Sequence, residues 1–509
     1  MIAGRNMGPV EAITMAIHEK LDNACAISTI THIVGKFHFS QFKQALSWLF
    51  KRHPLLRATS VTTNGQYRLV LNAEFSDIPI ILIETQNHTT IHNTFSEDAI
   101  KPFDPPKFLW RAYLIQINEA EHDMIIACSH ATSDALCLAS FSAEVLVCIE
   151  DIKIGKPFRY SILPMLDSVE TLMPDPNPTL VPIKNNIIDT DEWQFDQITD
   201  VSKQHSRNLI RILAPEQVQQ LVKVCKQHKT TVNAALSVAF CLSIMQSRDL
   251  SKLSTALYTA VNFRSLIGDV SSSNLICLVE QVEIMMSVGH NSNFWMLAAH
   301  FNLQLNDIVK HIVLPHDINK NILDELIQEA KDKFKHKKPL FKYLLSNVGV
   351  LDDFFNKTES LKVDSFRYTI QNLHAVYGIS LFVSTLNNTM QLVLCFTEPM
   401  VSSAFAQTLA NNTIKNLLIA SQDIQPSLNP HHGITSHNEV EAIMCEIWQQ
   451  LFEDDTVGVT DNFFELGGDF ALSCEFIGLL EKHFPEHNLL PYMLSENPTI
   501  AQLSDIILI

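Results

Sequence analysis

No stretch of the 509 residues holds enough uninterrupted apolar side chains to cross a bilayer. The opening, MIAGRNMGPVEAITMAIHEK, lacks the basic start and long apolar core of a secretory leader. Ten cysteines are scattered without a CxxC pair, and no Cys/His spacing reads as a zinc site. No short repeat or low-complexity tract is present. These absences lead us to expect no membrane span, no metal, and a reduced, cytoplasmic compartment. With 46% apolar and only 18% charged residues, a mainly disordered chain is also excluded, and two or more domains are expected.

Positive charge is scarce at the end of the chain. Residues Asn438–Ile509 contain fourteen Asp/Glu against the single Lys482, a balance of −13 out of −18 for the whole chain. That surplus argues against nucleic acid as a partner, because phosphates would be repelled. The break falls at QDIQPSLNPHHGITSH, residues 422–437, rich in Pro, Ser, Asn and Gly, so residues 426–437 read as a linker. Its His431, His432 and His437 lack organised partners and read as linker rather than as metal ligands. Beyond it, NEVEAIMCEIWQQLF places Val440, Ile443, Met444, Ile447 and Leu451 on one helical face. The last segment, SENPTIAQLSDIILI, reads as a short helix with Pro498 at its start. A small acidic helical bundle over 438–509 is the expectation.

The larger part alternates helices and strands. FSQFKQALSWLFKRHP predicts a helix stopped by Pro54, and LRATSVTTNGQYRLVLN a hairpin turned at Asn64-Gly65. KFLWRAYLIQI and HDMIIACS suit paired strands. TTVNAALSVAFCLSIMQ, 230–246, suits a buried helix, and LFVSTLNNTMQLVLCF a second hairpin around Asn387-Asn388. The irregular, Pro-rich stretch 173–186 divides this part into residues 1–180 and 181–425.

One histidine stands where chemistry is plausible. After the strand MIIACS comes HATSDA, which puts His130 at a strand end and Asp134 four residues on. A strand terminus fixes the backbone, and a near-neutral imidazole can take a proton from an attacking amine or alcohol. In a chain with 21 histidines, an HxxxD spacing alone also suits a partly buried histidine bonded to backbone. A second feature is KDKFKHKKPLFK, 331–342, with six lysines after a helix expected to turn Ile322, Leu326, Ile327, Ala330 and Phe334 inward. Its Lys335, Lys337 and Lys338 read either as a solvated helix end suited to the dipole or as a landing patch for the phosphates of a ligand or for an acidic protein.

RHPLLR (52–57), HATSDA, VNFR (261–264) and SNVG (346–349) occur in the order and spacing of the condensation and CoA-dependent acyltransferase superfamily. RNMGPVE, 5–11, resembles the start of its polyketide-associated acyltransferases and alcohol O-acetyltransferases. The resemblance covers roughly residues 1–425. It implies an α/β (α+β) fold of two chloramphenicol-acetyltransferase-like lobes with a tunnel between them. In that family His130 matches the active-site histidine and Asp134 the structural aspartate, with Arg264 the candidate partner of Asp134. SNVG would lie on a strand joining the lobes. Two positions depart from the pattern: Ser129 replaces the first of two histidines, and Ala135 replaces a glycine. If that glycine requires a positive φ, the alanine costs about 1 kcal/mol or more.

Residues 438–509 resemble an acyl or peptidyl carrier domain, a small all-α four-helix bundle, over their whole length. VGVTDNFFELGGD matches the loop into the second helix, yet Phe470 occupies the position of the serine that receives phosphopantetheine. Ser473, one turn on, stands outside the local motif. The tail would then be a docking module, a relic, or a carrier modified at Ser473 after all, and the expectation is a docking module with no cofactor bound covalently. The expected function is acyl transfer from a CoA or carrier-protein thioester, supplied in trans, to a small-molecule amine or alcohol. The acidic tail would recognise another synthetase subunit. The alternative is a non-catalytic scaffold built from the same two folds. A third reading, an epimerising or cyclising condensation variant, needs a loaded carrier in cis, which Phe470 opposes.

Overall fold

The computed structural model describes the chain except residues 1–3, 22–24, 64, 88–90, 92–93, 96–100, 159, 174–186, 268–272, 315–317, 371–375, 423–435, 437, 453, 469, 486, 488, 492 and 508–509. The linker histidines, and most of the dividing stretch 173–186, lie outside the described residues.

Fourteen strands are described: β1 (Gly4–Asn6), β2 (Ala26–Val34), β3 (Ala58–Thr63), β4 (Gln66–Leu71), β5 (Ile80–Glu84), β6 (Trp110–Gln116), β7 (Glu121–Ser129), β8 (His205–Leu213), β9 (Lys252–Asn262), β10 (Val279–Gly289), β11 (Phe341–Val350), β12 (Lys362–Ile370), β13 (Tyr377–Leu386) and β14 (Thr389–Glu398). They form a five-stranded sheet, β12-β2-β7-β6-β5, a six-stranded sheet, β10-β9-β11-β13-β14-β8, and a three-stranded sheet, β1-β4-β3. The strands of both expected hairpins pair, β3 with β4 and β13 with β14, although Asn64 of the first turn lies outside the described residues. In the second, Asn387 and Asn388 take φ of 51° and 56°, the left-handed pair that a tight two-residue turn requires.

Each large sheet is half of a lobe. The helices Phe39–Arg52 and Ala135–Lys153 cover the first, burying Phe42, Leu46, Leu49, Leu138, Phe141 and Leu146 against it. The helices Val232–Ser247 and Ser403–Ser421 cover the second. Val232–Ser247 is apolar nearly all round because it is core, and no single helix among the described residues is long and apolar enough to cross a membrane. Space does not follow the division at residue 180. Strand β12, from the second half of the sequence, pairs antiparallel with β2 and completes the first sheet. Arg52 and His53 of RHPLLR both engage Glu144, at 3.2 and 2.8 Å, and so tie the helix Phe39–Arg52 to Ala135–Lys153.

The last segment folds as helices Glu439–Phe452, Phe470–Leu480, Met493–Glu496 and Ile500–Ile507 around Trp448, Phe463, Phe476, Leu494 and Leu503. Met296, on the helix Phe294–His311 of the second lobe, is buried in this same cluster, so the tail rests against that lobe.

Candidate active site

Strand β7 ends at Ser129, and the turn that follows is held by that residue. The Ser129 carbonyl accepts from the Thr132 and Ser133 hydroxyls at 3.0 and 3.2 Å, while its own hydroxyl accepts from the Ala131 N–H at 3.3 Å. The serine in place of a first histidine thus braces the turn. Within it, His130 Nδ1 lies 2.8 Å from the Ser133 carbonyl. A carbonyl can only accept, so Nδ1 carries the proton and Nε2 keeps its lone pair. Burial pushes the His130 pKa below its usual value, opposed by the charge of Asp134, so the ring is neutral at pH 7.

Asp134 does both jobs open to it. Its Oδ1 accepts from the Cys137 N–H at 3.0 Å and caps the helix Ala135–Lys153, a contribution of about 1 kcal/mol. Its Oδ2 accepts from Arg264 Nη1 at 2.7 Å and from the Leu278 N–H at 2.9 Å. Burial works against the charge of Asp134, but Arg264 and the two N–H donors outweigh it and hold the carboxylate below its usual range. Arg264 also donates to the Ile276 carbonyl at 3.2 Å, so the pair pins the β9–β10 connection to the His130 turn across the two lobes. Ala135 is the first residue of its helix and has no positive φ, so the anticipated strain is absent. The turn closes without a glycine at this position.

His130 and Asp134 border a cavity of about 280 Å³ between the lobes. Its wall is mainly apolar, with Val10, Ile13 and Ile17 from the helix Pro9–Lys20 and Leu340, Phe341 and Leu344 from β11 and its approach. The helix Pro9–Lys20 is fixed by the opening motif: both Nη atoms of Arg5 donate to Glu11 at 2.6 Å, and Glu11 accepts from the Gly8 N–H at 2.9 Å. Ser346, Asn347 and Val348 of SNVG line the cavity as well, a position beyond the architectural one expected.

Two further groups reach this cavity unannounced by any motif. Cys277 Sγ lies 3.5 Å from His130 Nδ1, and burial raises its thiol so far that it stays protonated. Glu280, at the start of β10, lines the same wall. The even positions Val282, Ile284, Met286 and Val288 of β10 are buried, and Glu280 falls in that phase. A charged residue in the apolar phase of a strand was the available signal.

The lysine segment stands elsewhere. Lys335 pairs with Asp332 at 2.9 Å, Lys338 with Glu192 at 2.7 Å, and Lys337 donates to the Asp196 carbonyl at 3.1 Å. None of the three is part of the cavity wall. The helix before them turns Leu323, Ile327 and Ala330 inward, and Ile322, expected on that face, is exposed.

In the tail, Gly467 takes φ of +94°, and a Cβ on Gly468 would clash with the Phe463 ring. Both glycines of Leu-Gly-Gly-Asp thus keep their structural reasons. Phe470 is the first residue of the helix that follows, and Ser473 is fully buried.

Comparison with known proteins matches this layout. Residues 9–163 match the family model of the Condensation domain, and residues 442–507 that of the Phosphopantetheine attachment site. Tyrocidine synthase 3 of Brevibacillus parabrevis is 36% identical over 74 residues, which are 14% of this chain and 1% of that protein. Cyclosporin synthetase simA of Tolypocladium inflatum is 31% identical over 93 residues, 18% of this chain and 1% of that protein. The chain thus spans only about a hundredth of the length of these curated relatives. Among solved structures, the trichothecene 15-O-acetyltransferase TRI3 of Fusarium sporotrichioides superposes with a TM-score of 0.62 at 12% identity, over 82% of this chain and 95% of that one. Polyketide synthase associated protein 5 of Mycobacterium tuberculosis gives 0.57 at 13%, over 82% and 98%. The chain is a condensation-type, chloramphenicol-acetyltransferase-like fold followed by a carrier-type domain. The attachment-site match implies a phosphopantetheine group held covalently on the tail, contrary to the expectation of none. The residues present do not fit that group: the motif position offers a phenyl ring, and the next hydroxyl, on Ser473, is enclosed.

Proposed function

We propose that this protein transfers an acyl or peptidyl group from a thioester to an amine or alcohol, forming an amide or ester. The observation that carries the reading is the His130 ring, its Nδ1–H spent on the Ser133 carbonyl while the residue borders the cavity between the lobes. The acceptor N–H or O–H would hand its proton to Nε2 as the nucleophile attacks the thioester carbonyl. The same proton would then leave with the departing thiol, so that His130 ends neutral as it began. Asp134 and Arg264 position the turn and touch no reacting atom.

The thioester arrives in trans, on CoA or on a separate carrier protein, because the tail presents no hydroxyl at the attachment position. The acidic tail then serves recognition, and its fitting partner is another synthetase subunit. A mainly apolar cavity bordered by His130 favours this reading over a non-catalytic scaffold.

The test is acyl transfer from a panel of acyl-CoA and acyl-carrier donors to mixed amines and alcohols, read by mass spectrometry. His130→Ala should lower the rate about 10²–10⁴-fold while the protein melts as wild type does. Equal product from both forms, or none from a folded wild type, would turn the reading to the scaffold.

A further inference from the structure

Among the described residues, the cavity wall contains three ionisable groups whose charges matter to a ligand: His130, Asp134 and Glu280. Asp134 is neutralised by Arg264, and His130 is uncharged at pH 7. Glu280 has no such partner in the wall, which includes no lysine or arginine among the described residues. Among the described residues its hydrogen bond is local, from the Gln281 N–H to Oε1 at 2.8 Å. The groups that act on it or feel its charge are Glu170, the protonated Cys277 thiol and Tyr377, whose hydroxyl donates to Gln281 at 2.8 Å. None of them supplies a positive charge. A carboxyl on a mainly apolar wall without a counter-ion is costly, and a cationic ligand removes that cost.

We propose that the acceptor is a protonated primary amine, and that Glu280 is the carboxylate that seats its ammonium group in the cavity and takes its first proton. This rests on the acyl-transfer reading. An amine enters as the ammonium ion, whose nitrogen has no lone pair for attack. One proton passes to the Glu280 carboxylate, giving a carboxylic acid and a neutral amine. The amine attacks the thioester carbonyl, its second proton goes to His130 Nε2, and the carbon–sulfur bond breaks. The thiol leaves with the proton from His130, and Glu280 returns its proton to water. Amide, thiol and one released proton balance the ammonium and thioester consumed. An alcohol needs none of the first step, so Glu280 selects between the two acceptor classes. Burial raises the Glu280 pKa to about 7, which suits a group that must both accept and release a proton near neutrality.

The experiment pairs n-butylamine with n-butanol on the full chain, wild type against Glu280→Gln. Binding is measured by calorimetry, and transfer from acetyl-CoA and hexanoyl-CoA by product mass. Wild type should bind the amine with a Kd about 10–100-fold below that of the variant, since a charge-assisted hydrogen bond is lost, while butanol binds both alike. Transfer to butylamine should fall below pH about 7 in wild type, and its acid limb should move lower in Glu280→Gln, towards that of His130. Should Glu280→Gln fail to fold, Glu280→Asp keeps the charge and is expected to retain the amine preference. Equal loss of amine and alcohol, or an unchanged amine Kd, overturns the inference. Glu280-dependent amine binding without any His130-dependent transfer would leave the amine seat standing and remove the acyl-transfer reading alone.

Discussion

The turn after β7 and the turn before Phe470 both depart from the pattern of the family each resembles, but the departures differ in kind. At the first, Ser129 and Ala135 replace a histidine and a glycine at positions that supply shape. Ser129 ties down the turn with its carbonyl and hydroxyl, and Ala135 begins a helix in ordinary backbone geometry. The imidazole of His130, on which the proposed transfer depends, is kept. At the second, the shape is kept, with Gly467 in its left-handed conformation and Gly468 against Phe463, and the reacting atom is gone. Geometry can be rebuilt by other residues, because many side chains satisfy the same hydrogen bonds. A hydroxyl that must become a phosphodiester has no substitute in a phenyl ring.

The sharpest way to break this comparison is Phe470→Ser. If only the atom is missing, the variant should gain the mass of one phosphopantetheine when treated with CoA and a phosphopantetheinyl transferase. Wild type should gain none, an all-or-none difference read by intact-protein mass spectrometry. An arm on wild type would place the attachment at an unrecognised hydroxyl. A bare Phe470→Ser would mean that the tail has lost recognition along with its serine.

Next in size is Arg264→Met, which leaves the Asp134 carboxylate buried beside its N–H donors without a cation. Removing one partner of a buried pair costs about 3–5 kcal/mol, so a marked fall in denaturant midpoint is expected at pH 7. The sign of the pH dependence follows from Asp134. Its pKa is held below the unfolded value, so its stabilisation is present above that value and lost as the pH falls through the lower folded one. In Arg264→Met that acid-side loss should begin at a higher pH. Stability equal to wild type would show that Asp134 needs no cation and that the turn is held by its caps.

Much of this was legible from the chain. Amphipathic spacing gave the helix Phe39–Arg52, and Asn387-Asn388 gave its hairpin, because those signals are local. Arg264 could be named as a partner for Asp134 only through a family resemblance, since 130 residues separate them. Cys277 and Glu280 reach the cavity through the packing of β10 beside β9, a non-local pairing that no motif carries. The crossing of β12 into the first sheet was likewise invisible, because a strand's partners are set by the whole fold and not by its own pattern. The lysines of 331–342 left two readings open in the sequence, a solvated helix end and a ligand patch. Their sequence spacing does not show which carboxylates stand beside them, and in the structure Lys335 pairs with Asp332 and Lys338 with Glu192.

The smallest effect tests the claim that Ala135 is a shape substitution already absorbed. Ala135→Gly restores the family residue. If the turn strained against the methyl group, glycine would relieve it, and the variant would be more stable and more active than wild type. Ala135 instead has helical backbone at the first position of a nineteen-residue helix and is buried there. Glycine would then lose packing and gain freedom in the unfolded chain, which lowers stability by about 0.5–1 kcal/mol. Because the Asp134 cap and the His130–Ser133 bond do not involve the methyl group, the rate of a His130-dependent transfer should stay within about two-fold, a shift well under 1 kcal/mol in the barrier. A small loss of stability with an unchanged rate is what distinguishes a residue that supports the turn from one that limits it.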